Sequence, residues 1–120
     1  HEQLEWFARH ESATPLWIKI DTGMHRLGFT PDEAPAVIDR LGGRGRQLRL
    51  MTHFASAHLR GDASVEMQLA RFMALDPARA GEVCLANSSG ILAWPASHGD
   101  WVRPGLMLYG VSPFDAMVGG

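Results

Sequence analysis

Leu16-Trp17-Ile18-Lys19-Ile20-Asp21 is an apolar run closed by a charge, and Thr22-Gly23-Met24-His25-Arg26-Leu27-Gly28 follows it. The run is short and comes directly after the Thr14-Pro15 breaker, which reads as a short buried strand. The second stretch carries two glycines and reads as a loop. Thr30-Pro31-Asp32-Glu33 then starts a helix, with Thr at the cap, Pro at the first position and Glu three residues after the cap. That helix runs to Leu41 and stops at Gly42-Gly43. Strand, loop and helix thus follow in order, with Lys19, Asp21 and Arg26 where strand gives way to loop.

Outward from this unit the cycle repeats. Upstream, Leu4, Phe7 and Ala8 stand at helical spacing within residues 1–10, the end of a helix. Downstream, Leu48-Arg49-Leu50-Met51-Thr52-His53-Phe54 is a strand, followed by a polar loop through Asp62. Residues 63–75 carry Val65, Leu69, Phe72 and Met73, an amphipathic helix whose apolar stripe packs a sheet. Glu82-Val83-Cys84-Leu85-Ala86 is a third strand. Asn87-Ser88-Ser89-Gly90 opens a short helix holding Ile91, Leu92 and Trp94. After a loop from Pro95 to Asp100, Trp101-Val102-Arg103 is a fourth, brief strand. Pro104-Gly105 turns into Leu106-Met107-Leu108-Tyr109-Gly110, and the last ten residues read as a connection.

Alternating strands and helices imply an α/β fold with a parallel sheet covered by helices. A doubly wound sheet usually announces its nucleotide site by a glycine-rich turn, and no G-x-G-x-x-G or Walker sequence occurs. A (β/α)8 TIM-type barrel needs about 250 residues and eight units. The 120 residues supply about four βα units, half of such a barrel. An open half-barrel leaves strand edges and an uncovered core, so this piece alone is expected to aggregate or dimerise.

Composition narrows the function. With 46% hydrophobic and 20% charged residues the chain is ordinary globular material, not a disordered tail. A net charge of -2 gives no reason to expect binding to nucleic acid or to an anionic membrane. No apolar run approaches the ~18 residues of a membrane span. The chain opens on His1 rather than Met, and no signal peptide is visible. A single cysteine, Cys84, excludes an intrachain disulfide framework and reads as buried packing. Of 11 basic residues only Lys19 is a lysine, so it is the one residue here able to form a Schiff base.

Polar residues gather where each strand ends: Lys19, Asp21 and Arg26; His53; Asn87 and Ser88; Arg103. Chemistry on barrels sits at that end. Arg26, flanked by glycines, is free to aim its fork at a carboxylate or phosphate, or simply to face solvent. Lys19 and Asp21 share a strand face with Trp17, and a lysine inside a barrel must be neutralised, paired or modified. Ser88 at a helix start suits an anion as well as an ordinary cap. The Pro104-Gly105 turn exposes backbone N–H groups, so the Ser88 and Gly105 loops could bracket one phosphate, as the last two loops of barrels often do. His25, His53, His58 and His98 form no set at metal-ligand spacing, and no metal is expected. No Gly-x-Ser-x-Gly elbow is present.

Lys19-Ile20-Asp21-Thr22-Gly23-Met24-His25-Arg26-Leu27-Gly28 resembles the K-x-D-T-G-M-x-R-L-G stretch of bacterial alanine racemases. Met51-Thr52-His53-Phe54-Ala55, Ala86-Asn87-Ser88 and Val102-Arg103-Pro104-Gly105-Leu106-Met107-Leu108-Tyr109-Gly110 match further segments of that family, in order and at fitting spacing. The resemblance implies the C-terminal half of an N-terminal barrel that holds pyridoxal 5′-phosphate, with residues 1–120 all in that domain and the family's C-terminal β-domain absent from them. It implies L-alanine and D-alanine as substrate and product, a cytoplasmic homodimer, and a role in supplying a peptidoglycan precursor. By motif position, Arg103 faces the pyridine nitrogen, and His53 hydrogen-bonds toward Arg103 and the catalytic tyrosine. Ser88 and the backbone N–H groups of Gly105 and Leu106 hold the phosphate. Arg26 lies near the cofactor phenolate and the substrate carboxylate, and Lys19 takes the position carbamylated in many members.

The family's Schiff-base lysine falls upstream of His1 and its tyrosine base beyond Gly120. Racemisation needs two bases, so the 120-residue chain by itself is expected to be inactive. Two other readings stay open: a non-catalytic barrel that binds pyridoxal phosphate, and an inactive truncated remnant.

Overall fold

A computed structural model describes residues 2–10, 13–43 and 45–114. Helix α1 (Glu2–Arg9) leads into strand β1 (Leu16–Lys19), helix α2 (Ala34–Gly42), strand β2 (Leu48–Met51), helix α3 (Ser64–Met73), strand β3 (Val83–Cys84) and helix α4 (Ser88–Ala93). The strands form one parallel sheet in the order β1-β2-β3. The alternation expected from the sequence is therefore present. Of the anticipated fourth strand, Trp101–Arg103, a single parallel bridge from Trp101 to Cys84 forms. Three short 3-10 turns, Pro77–Arg79, Pro95–Ser97 and Leu106–Tyr109, complete the order. The end of the anticipated C-terminal connection, 115–120, lies outside the described residues.

Register sorts the sheet into two unlike faces. Ile18, Ile20, Leu48 and Leu50 point to one side and are buried against Val37, Ile38 and Leu41 of α2 and Val65 and Phe72 of α3. Leu4, Phe7 and Ala8 of α1 cover the margin of this core. Arg40 holds Glu5 at 2.8 Å, and Arg46 donates to the carbonyls of Phe7 and His10, which ties α1 down. The other face carries the alternate residues. Pairing of Lys19 with Met51 and of Met51 with Cys84 sets these three in one row at the C-terminal ends of the strands. One layer below, the Arg49 guanidinium lies 5.6 Å from the Trp17 ring and 5.4 Å from Trp101. Its Nε is 2.6 Å from Glu82 Oε2. Cation–π contact and ion pair together neutralise a charge on a half-buried face.

Element ends differ from the sequence reading for physical reasons. The Thr30–Glu33 capping box forms, with Glu33 Oε2 accepting from Thr30 N–H (2.8 Å) and the Glu33 N–H donating to Thr30 Oγ1 (3.3 Å). Regular helix begins only at Ala34, because Pro31 and Pro35 have no N–H for the ladder. β2 stops at Met51 rather than Phe54, and β3 at Cys84 rather than Ala86; the carbonyls of Thr52, His53 and Leu85 beyond them are taken by side chains. Met73, expected in the apolar stripe of α3, is exposed, and Gln68 is buried in that stripe.

Candidate active site

The sheet's C-terminal ends bring Arg103 and His53 together. Arg103 leaves its turn with its backbone N–H on Ala86 O (2.9 Å). Its guanidinium then reaches back across the strand ends. NH2 donates to Thr52 O (2.6 Å) and Leu85 O (3.0 Å), Nε to Cys84 Sγ (3.3 Å) and NH1 to His53 Nδ1 (2.9 Å). Four of its five N–H groups are thereby used. An arginine always donates, so Nδ1 of His53 accepts and the neutral ring carries its proton on Nε2. Burial first, then the charges of Arg103, Lys19 and Arg26, hold the His53 imidazole below the usual histidine range.

Ser88, Gly105 and Leu106 complete this corner. With His53, Asn87 and Arg103 they line a cleft of about 310 Å³. Asn87, not Ser88, caps α4, its Oδ1 accepting from Gly90 N–H at 3.0 Å. Ser88 is left with its buried hydroxyl on the cleft, accepting from Met107 N–H at 3.3 Å. Gly105 faces Ser88 across the cleft: a Cβ built on it would stand 4.0 Å from Ser88 Oγ, an ordinary contact. The Gly105 N–H turns to Arg103 O (2.9 Å), whereas the Leu106 N–H has no acceptor among the described residues.

Lys19 and Arg26 line a second opening, of about 450 Å³, with Trp17, Gly28 and Phe29. Here positive charge is in excess: Arg26 and Arg103 act on Lys19, and the Asp21 carboxylate offsets them only in part. Among the described residues Lys19 makes no ion pair, and the pairing of Lys19 with Asp21 that a shared face suggested is not formed. Asp21 turns into its own loop, where Oδ1 accepts from the N–H groups of Gly23 (3.1 Å) and His25 (2.9 Å). Burial pushes its carboxyl up, but those hydrogen bonds outweigh it and the net shift is down. The Lys19 amine is lowered by burial first, then by the charges of Arg26 and Arg103. Gly28 closes the loop at φ +120°, its backbone packed on Lys19 O and Asp21 N so tightly that no side chain fits.

Beneath both openings runs a polar network that the sequence reading missed. Gln68 donates from Nε2 to Thr22 Oγ1 (3.0 Å) and His53 O (3.0 Å) and accepts at Oε1 from Ala55 N–H (3.0 Å). Thr22 and Thr52 hydroxyls meet at 2.7 Å, and Thr52 Oγ1 donates to Ile20 O at 2.9 Å. The one signal available was a polar residue between Val65 and Phe72 at helical spacing.

Comparison with known proteins agrees with this arrangement. The model of the alanine racemase N-terminal domain matches residues 1–113. The chain belongs to the alanine racemase family. It is 46% identical over 119 residues to alanine racemase of Halorhodospira halophila, covering 95% of this chain and 33% of that protein. The crystal structure of biosynthetic alanine racemase from Pseudomonas aeruginosa superposes with a TM-score of 0.87 at 43% identity, over 98% of this chain and 34% of that one. Alanine racemase from Bartonella henselae, crystallised with covalently bound pyridoxal phosphate, gives 0.77 at 28% identity over the same shares. The chain thus spans about a third of the length of its alanine racemase relatives. Among the described residues no three His, Cys, Asp or Glu gather to hold a metal ion, and no helix is long and apolar enough to cross a membrane.

Proposed function

We propose that these residues are the later half of the cofactor barrel of an alanine racemase, a homodimer interconverting L-alanine and D-alanine with pyridoxal 5′-phosphate. The observation that carries the reading is the Arg103 NH1–His53 Nδ1 hydrogen bond beside the Ser88–Gly105 cleft. The donor set fits a phosphorylated pyridine: a hydroxyl and an unused N–H on one cleft, and a fixed guanidinium next to it. Bound there, the cofactor supplies an electron sink that acidifies the alanine Cα–H.

Each residue then has a task. The Ser88 hydroxyl and Leu106 N–H hold the phosphate, and the bare backbone of Gly105 lets it approach. Arg103 faces the pyridine nitrogen with its one unused N–H. A guanidinium keeps its proton, so Arg103 would offer the ring nitrogen a hydrogen bond without protonating it, which would temper the sink. His53 holds Arg103 through Nδ1 and offers Nε2–H to the tyrosine base that the family places outside these residues. Arg26 orients the substrate carboxylate. Lys19, lowered in pKa and in no ion pair among the described residues, suits carbamate formation: the neutral amine adds CO2, one proton is released and the resulting anion faces Arg26. An intact mass of the native protein without the added CO2 would sink that part.

The two bases of racemisation are proposed to lie elsewhere in the full protein. The test is D-alanine formation from L-alanine by the full-length protein, with and without pyridoxal phosphate, beside the isolated 120-residue chain. Cofactor-dependent racemisation by the full-length protein alone is the expected result. Binding of the cofactor without racemisation would favour a non-catalytic binder, and activity of the 120-residue chain would refute the assignment of the bases.

A further inference from the structure

We propose that Gln68 is a positioning residue for the His53–Arg103 pair, acting on the His53 main chain directly and on Thr52 through a one-way chain of hydroxyls. Every proton in that chain can be assigned from its fixed ends. A carbonyl only accepts, so the Gln68 atom facing His53 O is nitrogen; a backbone N–H only donates, so the atom facing Ala55 N–H is oxygen. The amide therefore has one orientation. Its second N–H goes to Thr22 Oγ1. At the far end Thr52 uses its hydroxyl proton on Ile20 O, so in the Thr22–Thr52 contact Thr22 is the donor. The order is Gln68, Thr22, Thr52, Ile20 carbonyl, with no proton free to reverse it.

All three side chains are almost completely shielded: Gln68 is 2% exposed, Thr22 1% and Thr52 0%. No water competes for them, so the geometry is held tightly. The two residues anchored are the ones that carry the site. The Thr52 carbonyl takes the Arg103 guanidinium at 2.6 Å, and His53 takes it at Nδ1. Arg71 of the same helix adds a bond from NH1 to Thr22 O (2.9 Å). Helix α3 is thereby keyed to the ends of both β1 and β2. A cationic surrounding sharpens the need. The charged groups acting on the His53 ring are Lys19 on β1, Arg26 in the loop after it, and Arg103. A ring free to rotate would turn Nδ1 away from Arg103.

The test uses the full-length protein with four variants, Gln68→Leu, Gln68→Glu, Thr22→Val and Thr22→Ser. The first readout is the ring nitrogen NMR shifts of His53 without cofactor. The wild type and Thr22→Ser are expected to show one neutral tautomer, protonated on Nε2, at neutral pH. Gln68→Leu is expected to show mixed tautomers, since it cannot donate to His53 O; Gln68→Glu, whose carboxyl carries at most one proton for the two acceptors Gln68 serves, is expected to do so to a smaller extent. Thr22→Val breaks the hydroxyl chain and is expected to do so partially, which keeps the test alive if a Gln68 variant fails to fold. The second readout rests on the racemase reading: in the Gln68 variants kcat falls roughly 10- to 100-fold while KM stays within about threefold. A folded Gln68→Leu protein, or a folded Thr22→Val protein should Gln68→Leu not fold, with wild-type His53 shifts would overturn the proposal. Altered shifts in a protein that never racemises alanine would sustain the positioning role and remove the racemase reading instead.

Discussion

Arg103 and Lys19 stand at opposite ends of one sheet face, and their surroundings differ in kind. Arg103 donates four hydrogen bonds to two carbonyls, a thiol and an imidazole. Lys19 has the charges of Arg26 and Arg103 nearby, while Asp21, two residues on, is committed to the N–H groups of its loop. In the first corner the guanidinium is fixed by protein atoms alone. The second has positive charge in excess. On the proposed function the two would divide the work: one cation held still beside the cofactor ring, others in excess to draw anionic groups in.

The largest effect should come from removing the fixed cation. Arg103→Leu leaves Thr52 O, Leu85 O and His53 Nδ1 without a donor, and denaturant unfolding of the full-length protein should show a loss of about 3 kcal/mol. A loss under about 1 kcal/mol would mean that water replaces the guanidinium and the corner is not rigid. Gly28→Ala comes next. Its Cβ would stand 2.8 Å from Lys19 O and 2.9 Å from Asp21 N, at a φ that side chains rarely adopt. The expected cost is about 2 kcal/mol, with weakened substrate binding as the Arg26 loop shifts. Wild-type stability in this variant would show that the loop is not locked to β1.

Titration separates the two corners more finely. The His53 pKa lies lower in the folded protein than its ordinary 6.5, so the unfolded chain takes up the proton first. Its contribution to stability is complete above about pH 6.5 and is lost as pH falls through the folded value. Stability measured against pH should fall on the acid side, and His53→Gln should flatten that slope; an unchanged slope would mean that other groups cause it. The smallest effect belongs to Lys19. Its folded pKa is also lowered, so at neutral pH the charged amine opposes folding. Lys19→Met should therefore stabilise the unmodified protein by a few tenths of a kcal/mol. Destabilisation instead would point to a carbamate whose anion the substitution removes.

The sequence carried the order of strands and helices, because apolar periodicity and the Thr30–Glu33 box survive intact in the fold. It placed Arg103, His53 and Ser88 after strand ends, and the structure brings these three to one cleft. Strand lengths were another matter. The Thr52 carbonyl goes to Arg103 and the His53 carbonyl to Gln68, so the ladder ends early for reasons lying many residues away. The stripe of α3 was misjudged for the same cause. Gln68 takes a core position that hydropathy assigns to an apolar residue, since three hydrogen bonds satisfy it there, and Met73 is turned to solvent. Asn87 took the cap assigned to Ser88, which freed the serine for the cleft.

The most direct test is a crystal structure of the full-length protein with pyridoxal phosphate bound. The account requires the phosphate within hydrogen-bond distance of Ser88 Oγ and Leu106 N, and the pyridine nitrogen facing the Arg103 guanidinium with His53 Nδ1 still accepting from it. A phosphate seated elsewhere, or a pyridine nitrogen facing a carboxylate, would contradict it.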